Sequence, residues 1–293
     1  LKRKTTLLKE YVLDEETLVM PGAYDALSAR IAEKIGFKVV GVGGFSLTAT
    51  ILGKPDVSLL TMTEMVNRVH DIADAVDLPL FADAETGYGN IINVRRTVQE
   101  LERAGAAGLF IEDQVFPARC GLMEGIEVVP VEEMVAKIKA AVDARVDPDL
   151  VIMARTDARK VYGLDEAISR SNIYREAGAD MIFAVTPNRT EELERVAREV
   201  DAPKMAVIGE DGSPAPTVQA VAEMGYDVVF FPLSAIFSAA KSVWRTMQTL
   251  YETGSTTQRL DNMMSFQEFT NLVGLEEIIE LQSQSHVKSR GEG

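Results

Sequence analysis

Cysteine and histidine are nearly absent from this chain. Cys120 is the one cysteine among 293 residues, and His70 and His286 are the two histidines. A single thiol excludes an intramolecular disulfide and a cysteine-built zinc site, and it fits a reducing compartment such as the cytoplasm. So little histidine argues against zinc hydrolases and Ser/His/Asp catalysis, which lean on imidazole. Basic residues are also outnumbered: 30 Lys+Arg stand against 45 Asp+Glu, for a formal net charge of −15. That balance argues against sequence-independent binding to nucleic acid or to an anionic membrane. An anionic substrate is still allowed where a metal or a local Arg inverts the field in a cleft. No run approaches 18 uncharged apolar residues, and residues 1–20 carry no secretory-leader pattern, so neither a membrane span nor a signal peptide is expected.

What is present is globular: 46% of residues are hydrophobic and 26% charged, which rules out disordered and collagenous chains. A local pattern recurs. A charged amphipathic segment ends at a glycine and a short apolar run follows, in AEKIGFKVVGVGG, QELERAGAAGLFIED, YREAGADMIFAV and VAEMGYDVVFF, with the glycines at Gly36, Gly105, Gly178 and Gly225. Glycine after a helix supplies the left-handed turn that ends it. The apolar run is too short for a helix and reads as a strand buried on both faces. Further strands are expected at 17–20, 79–83, 150–154 and 204–208, and helices at 23–35, 62–76, 91–104 and 131–144. About eight βα units predict an α/β fold of the (β/α)8 TIM-barrel type, with residues 1–293 as one domain. Two segments exceed a minimal barrel: a long connection at 114–130, the candidate gating loop, and extra C-terminal helices over about 254–285, expected to pack on a neighbouring subunit. HVKSRGEG, at the end, reads as a disordered tail.

In such a fold the chemistry lies where strands end. PLFADAETGYGN offers Asp83 and Glu85, which strand alternation would place on one side. LFIEDQ offers Glu112 and Asp113, VIMARTDAR offers Arg155 and Asp157, and LGKPD ends at Asp56. A single acidic residue at a strand end is usually a helix cap or a solvated charge. Asp56, Asp83, Glu85 and Glu112 on successive ends suggest an all-oxygen site for a hard cation, Mg²⁺ or Mn²⁺. Arg155 would clamp a substrate carboxylate bidentately. Cys120 has two readings, a small buried hydrophobe or a catalytic thiol whose thiolate Arg119 favours. GVGG at 41–44 lacks the spacing of a dinucleotide loop.

The segments PGAYDALSARIAEKIGF, LGKPD, LLTMTEM, DAETGYGN, FIEDQVFPARCG, ARTDA, EAGADMIF and PLSA run in the order and spacing of one family. Across nearly its whole length the chain resembles the isocitrate lyase/phosphoenolpyruvate mutase superfamily. The resemblance implies a Mg²⁺-dependent barrel acting on small α-keto or α-hydroxy carboxylates through an enolate-like intermediate. It implies a cytoplasmic homotetramer with C-terminal helices exchanged between neighbours, and no nucleic-acid or membrane partner. Position by position, Asp83 matches the main metal ligand, and Asp56, Glu85 and Glu112 match outer ligands acting through water. Gly43, Gly44, Phe45, Asp83 and Arg155 surround the substrate; Cys120, Arg155 and Asp56 form the catalytic set, with Cys120 the lyases' acid/base.

Departures from the family narrow the substrate. Glu85 stands where Asp is usual. Ala118 and Leu122 replace a Lys and a His of the gating loop, and Gly41 and Gly43 replace a Tyr and a Ser after the second strand. Val185 replaces a Glu, Ala206 an Asn, Gly209 a Glu and Phe237 an Arg. Those groups serve the far end of a tricarboxylic substrate, and a site loses several kcal/mol when such partners go. The expectation is a carbon–carbon lyase for a 2,3-dimethylmalate- or methylisocitrate-type acid, with the smaller or more apolar substrate the better fit. Oxaloacetate decarboxylase is the alternative. Phosphonopyruvate hydrolase, the mutase itself and a non-catalytic barrel follow.

Overall fold

In the computed structural model all four punctuating glycines hold positive φ, from 97° at Gly225 to 111° at Gly178, and each is followed by a strand. The structure describes residues 2–186, 189–210, 212 and 215–289. It divides into two compact units, Leu1–Ile236 and Phe237–Gly293. In chain order the first runs α1 (Lys4–Val12), β1 (Leu18–Pro21), α2 (Ala26–Ile35), β2 (Val40–Val42), α3 (Gly44–Leu52), α4 (Met62–Ala75), β3 (Leu80–Asp83), α5 (Ile91–Arg103) and β4 (Gly108–Glu112). It continues with α6 (Val131–Ala144), β5 (Val151–Thr156), α7 (Ala158–Tyr162), α8 (Leu164–Glu176), β6 (Met181–Ala184), α9 (Thr190–Glu199), β7 (Met205–Val207), α10 (Val218–Met224) and β8 (Val228–Phe231). The expected helices start and stop close to their predicted positions because capping chemistry marks them. Asp25, Thr61 and Asn90 each form a capping box, which places the start of α2 at Ala26 rather than at residue 23.

All ladders are parallel. β2 to β6 pair in sequence, and β1, β8 and β7 form a second set. Parallel bridges between Gly22 and Gly41 and between Ile182 and Lys204 join the two sets into a ring of eight strands. Strand alternation then sorts side chains into two cores. One lies between the ring and its helices, with Val40, Leu80, Leu109, Ile152, Ile182 and Val229. The other fills the ring and includes Phe81, Phe110, Met153, Phe183, Met205 and Phe230. Leu8 and Val12 of α1 belong to that inner cluster, so α1 supplies packing that the strand pattern alone does not announce.

Beneath the strand ends lies one buried polar knot. Asp113, fully buried, accepts hydrogen bonds from Thr156 Oγ1 (2.7 Å), the Asp157 amide (2.9 Å), Tyr174 Oη (2.9 Å) and Arg170 Nη1 (3.2 Å). Arg170 Nη1 also donates to Val129 O at 2.8 Å, tying α8 to the end of the 114–130 connection. Asp113 is therefore a structural group and not part of the acidic site.

The second unit begins within α11 (Ser234–Thr253) and continues through a 3₁₀ turn at Thr257–Asn262, α12 (Phe266–Leu272) and α13 (Leu275–Ser289). It exposes large apolar side chains, among them Trp244, Tyr251, Phe266 and Ile279. Helix reaches Ser289, so the expected disordered tail is corrected for residues 286–289; its last four residues lie outside the described ones. Among the described residues no helix is long and apolar enough to cross a membrane.

Arg170→Met leaves Asp113 a buried charge without its cation. Breaking such a pair costs about 3–5 kcal/mol, so the urea midpoint falls by that equivalent; an unchanged midpoint would contradict the role given to the knot.

Candidate active site

Inside the ring, the residue two positions beyond each inner aromatic or Met points the same way, toward the C-terminal mouth. On β3, β4 and β5 these residues are Asp83, Glu112 and Arg155. The corresponding positions are Val185 just after β6, Val207 at the end of β7 and Pro232 just after β8. The mouth is therefore charged on one half and apolar on the other. A single cavity is lined by Gly43, Gly44, Phe45, Asp56, Asp83, Cys120 and Arg155, together with Leu122, Phe183, Val185, Met205, Val207, Phe230 and Leu233. Glu85 and Glu112 do not line it; they stand behind its charged wall.

Asp83 is held from both sides. Its Oδ2 accepts from the Gly44 amide at 2.9 Å and its Oδ1 from the Glu85 amide at 2.8 Å. Strand alternation is not what brings Glu85 to it: β3 ends at Asp83, and Glu85 sits in a left-handed turn at φ 52°. A Cβ at Gly44 would collide with Glu85 Oε1, so any larger residue there would displace that carboxylate. Gly44 also opens α3, whose N-terminal turn faces the cavity through Gly43, Gly44 and Phe45. Sequence reasoning read this stretch as loop and missed the helix. Backbone N–H groups at a helix start favour an anion, which gives the site an anion-binding element where the family has a Ser side chain.

Arg155 is not the free bidentate clamp expected. Its Nε donates to Asp157 Oδ2 at 2.9 Å and its Nη2 to Asp157 Oδ1 at 3.1 Å, while Nη1 lies 3.1 Å from Glu112 Oε2. Asp157 thus takes two of the five N–H groups of the guanidinium, and Glu112 engages Nη1, which leaves only part of the terminal donor set unpaired. Burial opposes its charge, but Asp157 and Glu112 outweigh that and hold it firmly ionised. Asp157, which the sequence offered beside Arg155 without a role, is the partner that orients the guanidinium.

The carboxylates raise one another. Burial, then Asp83, pushes Asp56 from its ordinary value to about 6. Burial, then Asp83, Glu112 and Asp56, pushes Glu85 well up. Burial raises Asp83 and Glu112 too, against the pull of Arg155. Such a cluster fits a divalent cation, which would relieve the repulsion. The Tyr88 hydroxyl, buried without a hydrogen-bond partner in the field of the same four carboxylates, fits a neighbouring hydrated ion. Among the described residues no three carboxylate, histidine or cysteine side chains are grouped so that together they could hold a metal ion directly, so Asp83, Glu85, Asp56 and Glu112 are not gathered as one direct ligand set. The donor set therefore suits Mg²⁺, which takes one or two carboxylates and completes its shell with water and substrate oxygens.

Cys120 reaches the cavity, but not as a thiolate activated by Arg119. Arg119 Nη1 donates instead to Glu124 O at 3.1 Å. Burial pushes the thiol up, against weaker opposing pulls from the Leu122 amide and Arg155. The departures from the family sort by geometry. Val185 lines the cavity, whereas Ala206 packs in the outer core and its neighbours Met205 and Val207 face in. A Cβ at Gly41 would lie 2.5 Å from the Phe230 ring, which occupies that space from across the barrel. Phe237 belongs to the second unit.

Comparison with known proteins gives the same frame. The family profile described as phosphoenolpyruvate phosphomutase matches residues 8–251. A 2,3-dimethylmalate lyase of Eubacterium barkeri is 44% identical over 276 residues, 94% of this chain and 96% of that one. The structure of an oxaloacetate acetylhydrolase with the inhibitor 3,3-difluorooxalacetate superposes with a TM-score of 0.91 at 32% identity, over 97% of each chain. A phosphonopyruvate hydrolase in complex with oxalate and Mg²⁺ superposes at 0.88 and 29% identity, over 96% of this chain and 99% of that one.

The raised Asp56 sets a pH dependence. Between about pH 4 and 6 the folded protein keeps a proton that the unfolded chain has released, so metal-free stability falls as pH rises through that window. Urea unfolding at successive pH values reads the slope, and Asp56→Asn lowers it by up to one proton.

Proposed function

The chain belongs to the phosphoenolpyruvate phosphomutase family and is a carbon–carbon lyase of the phosphoenolpyruvate mutase/isocitrate lyase superfamily; from that premise we propose that it cleaves an alkyl-substituted malate of the 2,3-dimethylmalate type, with Mg²⁺ or Mn²⁺ as cofactor. The observation that carries this reading is the divided cavity: Asp56, Asp83, Arg155 and Cys120 face Val185, Met205, Val207 and Phe230 across one space. Arg155 is the one cation among the described residues that line it, and Asp157 already takes part of its donor set. A third carboxylate has no counter-charge on the apolar wall, whereas methyl groups do fit there. This places methylisocitrate-type tricarboxylates second.

In this reading the α-hydroxy carboxylate lies against Arg155 and the N-terminal turn of α3. Asp83, Asp56, Glu85 and Glu112 would hold the divalent ion, directly or through water, and the ion would supply positive charge that offsets negative charge developing on the substrate. Asp56 accepts the 2-hydroxyl proton. The C2–C3 electron pair passes to C3 as the 2-oxygen becomes a keto group. Cys120, kept as a thiol by its burial, gives its proton to the carbanion at C3. General acid catalysis of this kind is worth about 10²–10⁴-fold. The 114–130 connection excludes water while the carbanion exists.

Oxaloacetate decarboxylation is the second reading. It is favoured by the bare Gly43 and by Val185, neither of which offers a side-chain partner for a distal carboxylate. The exposed apolar side chains of α11 to α13 support assembly into a homotetramer through those helices, and the net charge of −15 and the single cysteine favour a cytoplasmic setting with no nucleic-acid or membrane partner.

Release of 2-oxo acid is measured on 2,3-dimethylmalate, 2-methylisocitrate, oxaloacetate and phosphonopyruvate, with and without Mg²⁺. Cleavage of the substituted malate is expected, with Cys120→Ser lowering kcat at least 10²-fold. Oxaloacetate turnover indifferent to that substitution would replace this reading with the decarboxylase. Mg²⁺ should raise Tm more at pH 8 than at pH 5, because the carboxylates must shed protons to take it; an equal shift at both would speak against these ligands. Light scattering should return four times the 32.0 kDa chain mass.

A further inference from the structure

We propose that Gln114 is a positioning residue for Cys120: its side-chain amide clamps the backbone of Arg119 and so holds the thiol over the cavity. Gln114 is almost fully buried, two residues beyond β4. Its Nε2 donates to Arg119 O at 2.9 Å, and its Oε1 accepts from the Arg119 amide at 3.0 Å. The pair of bonds reproduces with a side chain what a neighbouring strand would do with its backbone. Both ends of the amide are used, so its orientation is determined: a flip would set oxygen against oxygen and N–H against N–H.

The place of this clamp in the gating loop gives it its role. The loop leaves and returns on a short ladder formed by the Gln114–Val128 bridge, Val115 N to Glu127 O (2.9 Å) and Val129 N to Asp113 O (2.8 Å). That ladder holds the root of the loop but not its span. The segment carrying Cys120 is tied by Gln114 from one side and from the other by the 53–61 connection, where Ser58 Oγ donates to Ala118 O at 3.0 Å and Asp56 O accepts from the Cys120 amide at 3.2 Å. Gly121, next in line, packs so closely that an added Cβ would stand 3.1 Å from both Arg155 Nη2 and Asp157 Oδ1. The ties that Gln114 and the 53–61 connection make onto residues 118–120 all go to backbone. The clamp is neutral and acts on where the thiol is, not on its proton affinity through charge. Both side-chain bonds of Gln114 go to the residue beside Cys120, which separates it from a core amide that merely satisfies itself.

The proposal rests on Cys120 being the acid of the proposed lyase, but its test does not. Cys120 is the one cysteine in the chain, so alkylation of the full-length protein by iodoacetamide reports its exposure without needing substrate or metal. Gln114→Met removes both bonds at similar volume, and Gln114→Glu keeps only the acceptor for the Arg119 amide. Alkylation is expected to rise roughly 10–100-fold in Gln114→Met, as two lost hydrogen bonds allow, and by less in Gln114→Glu. On the cleaved substrate kcat should fall with KM nearly unchanged. An alkylation rate equal to wild type in a folded Gln114→Met protein overturns the proposal, whatever happens to kcat. Should that variant fail to fold, Gln114→Glu decides by the same reading. Faster alkylation with kcat retained would uphold the clamp and remove Cys120 from the proposed chemistry.

Discussion

Five carboxylates share one guanidinium at the mouth of the strand ring. Asp56, Asp83, Glu85, Glu112 and Asp157 all act on Arg155 or on one another, and most are buried. Burying like charges is unfavourable unless a cation or a proton intervenes. The rest of the site answers to this constraint. Amides of Gly44 and Glu85 are turned toward Asp83, α3 presents its N-terminus, and Arg155 is pinned between Glu112 and Asp157. Each of these places partial or full positive charge where the acidic groups need it, and each leaves the cluster short of neutrality.

That shortage gives the site its chemistry. A divalent ion would complete the charge balance, and the part of Arg155 that faces the cavity would then meet an anionic substrate. Among the described residues that line the cavity, the opposite half carries no charge. Val185, Val207 and Pro232 occupy the same layer as Asp83, Glu112 and Arg155, so one period-2 pattern running around the ring separates a polar from an apolar wall. The connection at 114–130 bridges these halves, with Cys120 and Leu122 both lining the cavity. Its root is bound into the Asp113–Arg170 knot through Val129, so the loop springs from a rigid base.

Much of this was legible from residue order. The helices and strands followed from 3.6- and 2-residue periodicity and from glycine and capping signals, which are local. Asp56, Asp83, Cys120 and Arg155 were each legible as site residues, and the structure brings them to one cavity. Other points were not legible. Arg119 neighbours Cys120 in sequence yet turns its guanidinium to Glu124 O. Ala206 looked like a lost site residue, but it faces the outer core, because a one-residue difference in register reverses a strand side chain. α3 was hidden because GFSLTATIL is nearly all apolar or small and shows little periodicity.

The sequence by itself determined the parallel ring, the order of its elements and the strand ends on which charge is concentrated. These depend on nearest-neighbour preferences along the chain and on burial patterns that repeat within a few residues. Tertiary structure alone decided which donors of Arg155 remain for a substrate, that Glu85 enters through a left-handed turn, that Phe230 fills the space above Gly41 and that Gln114 grips Arg119. Each is a contact across the ring or across a loop, made by groups whose distance and direction no local pattern encodes.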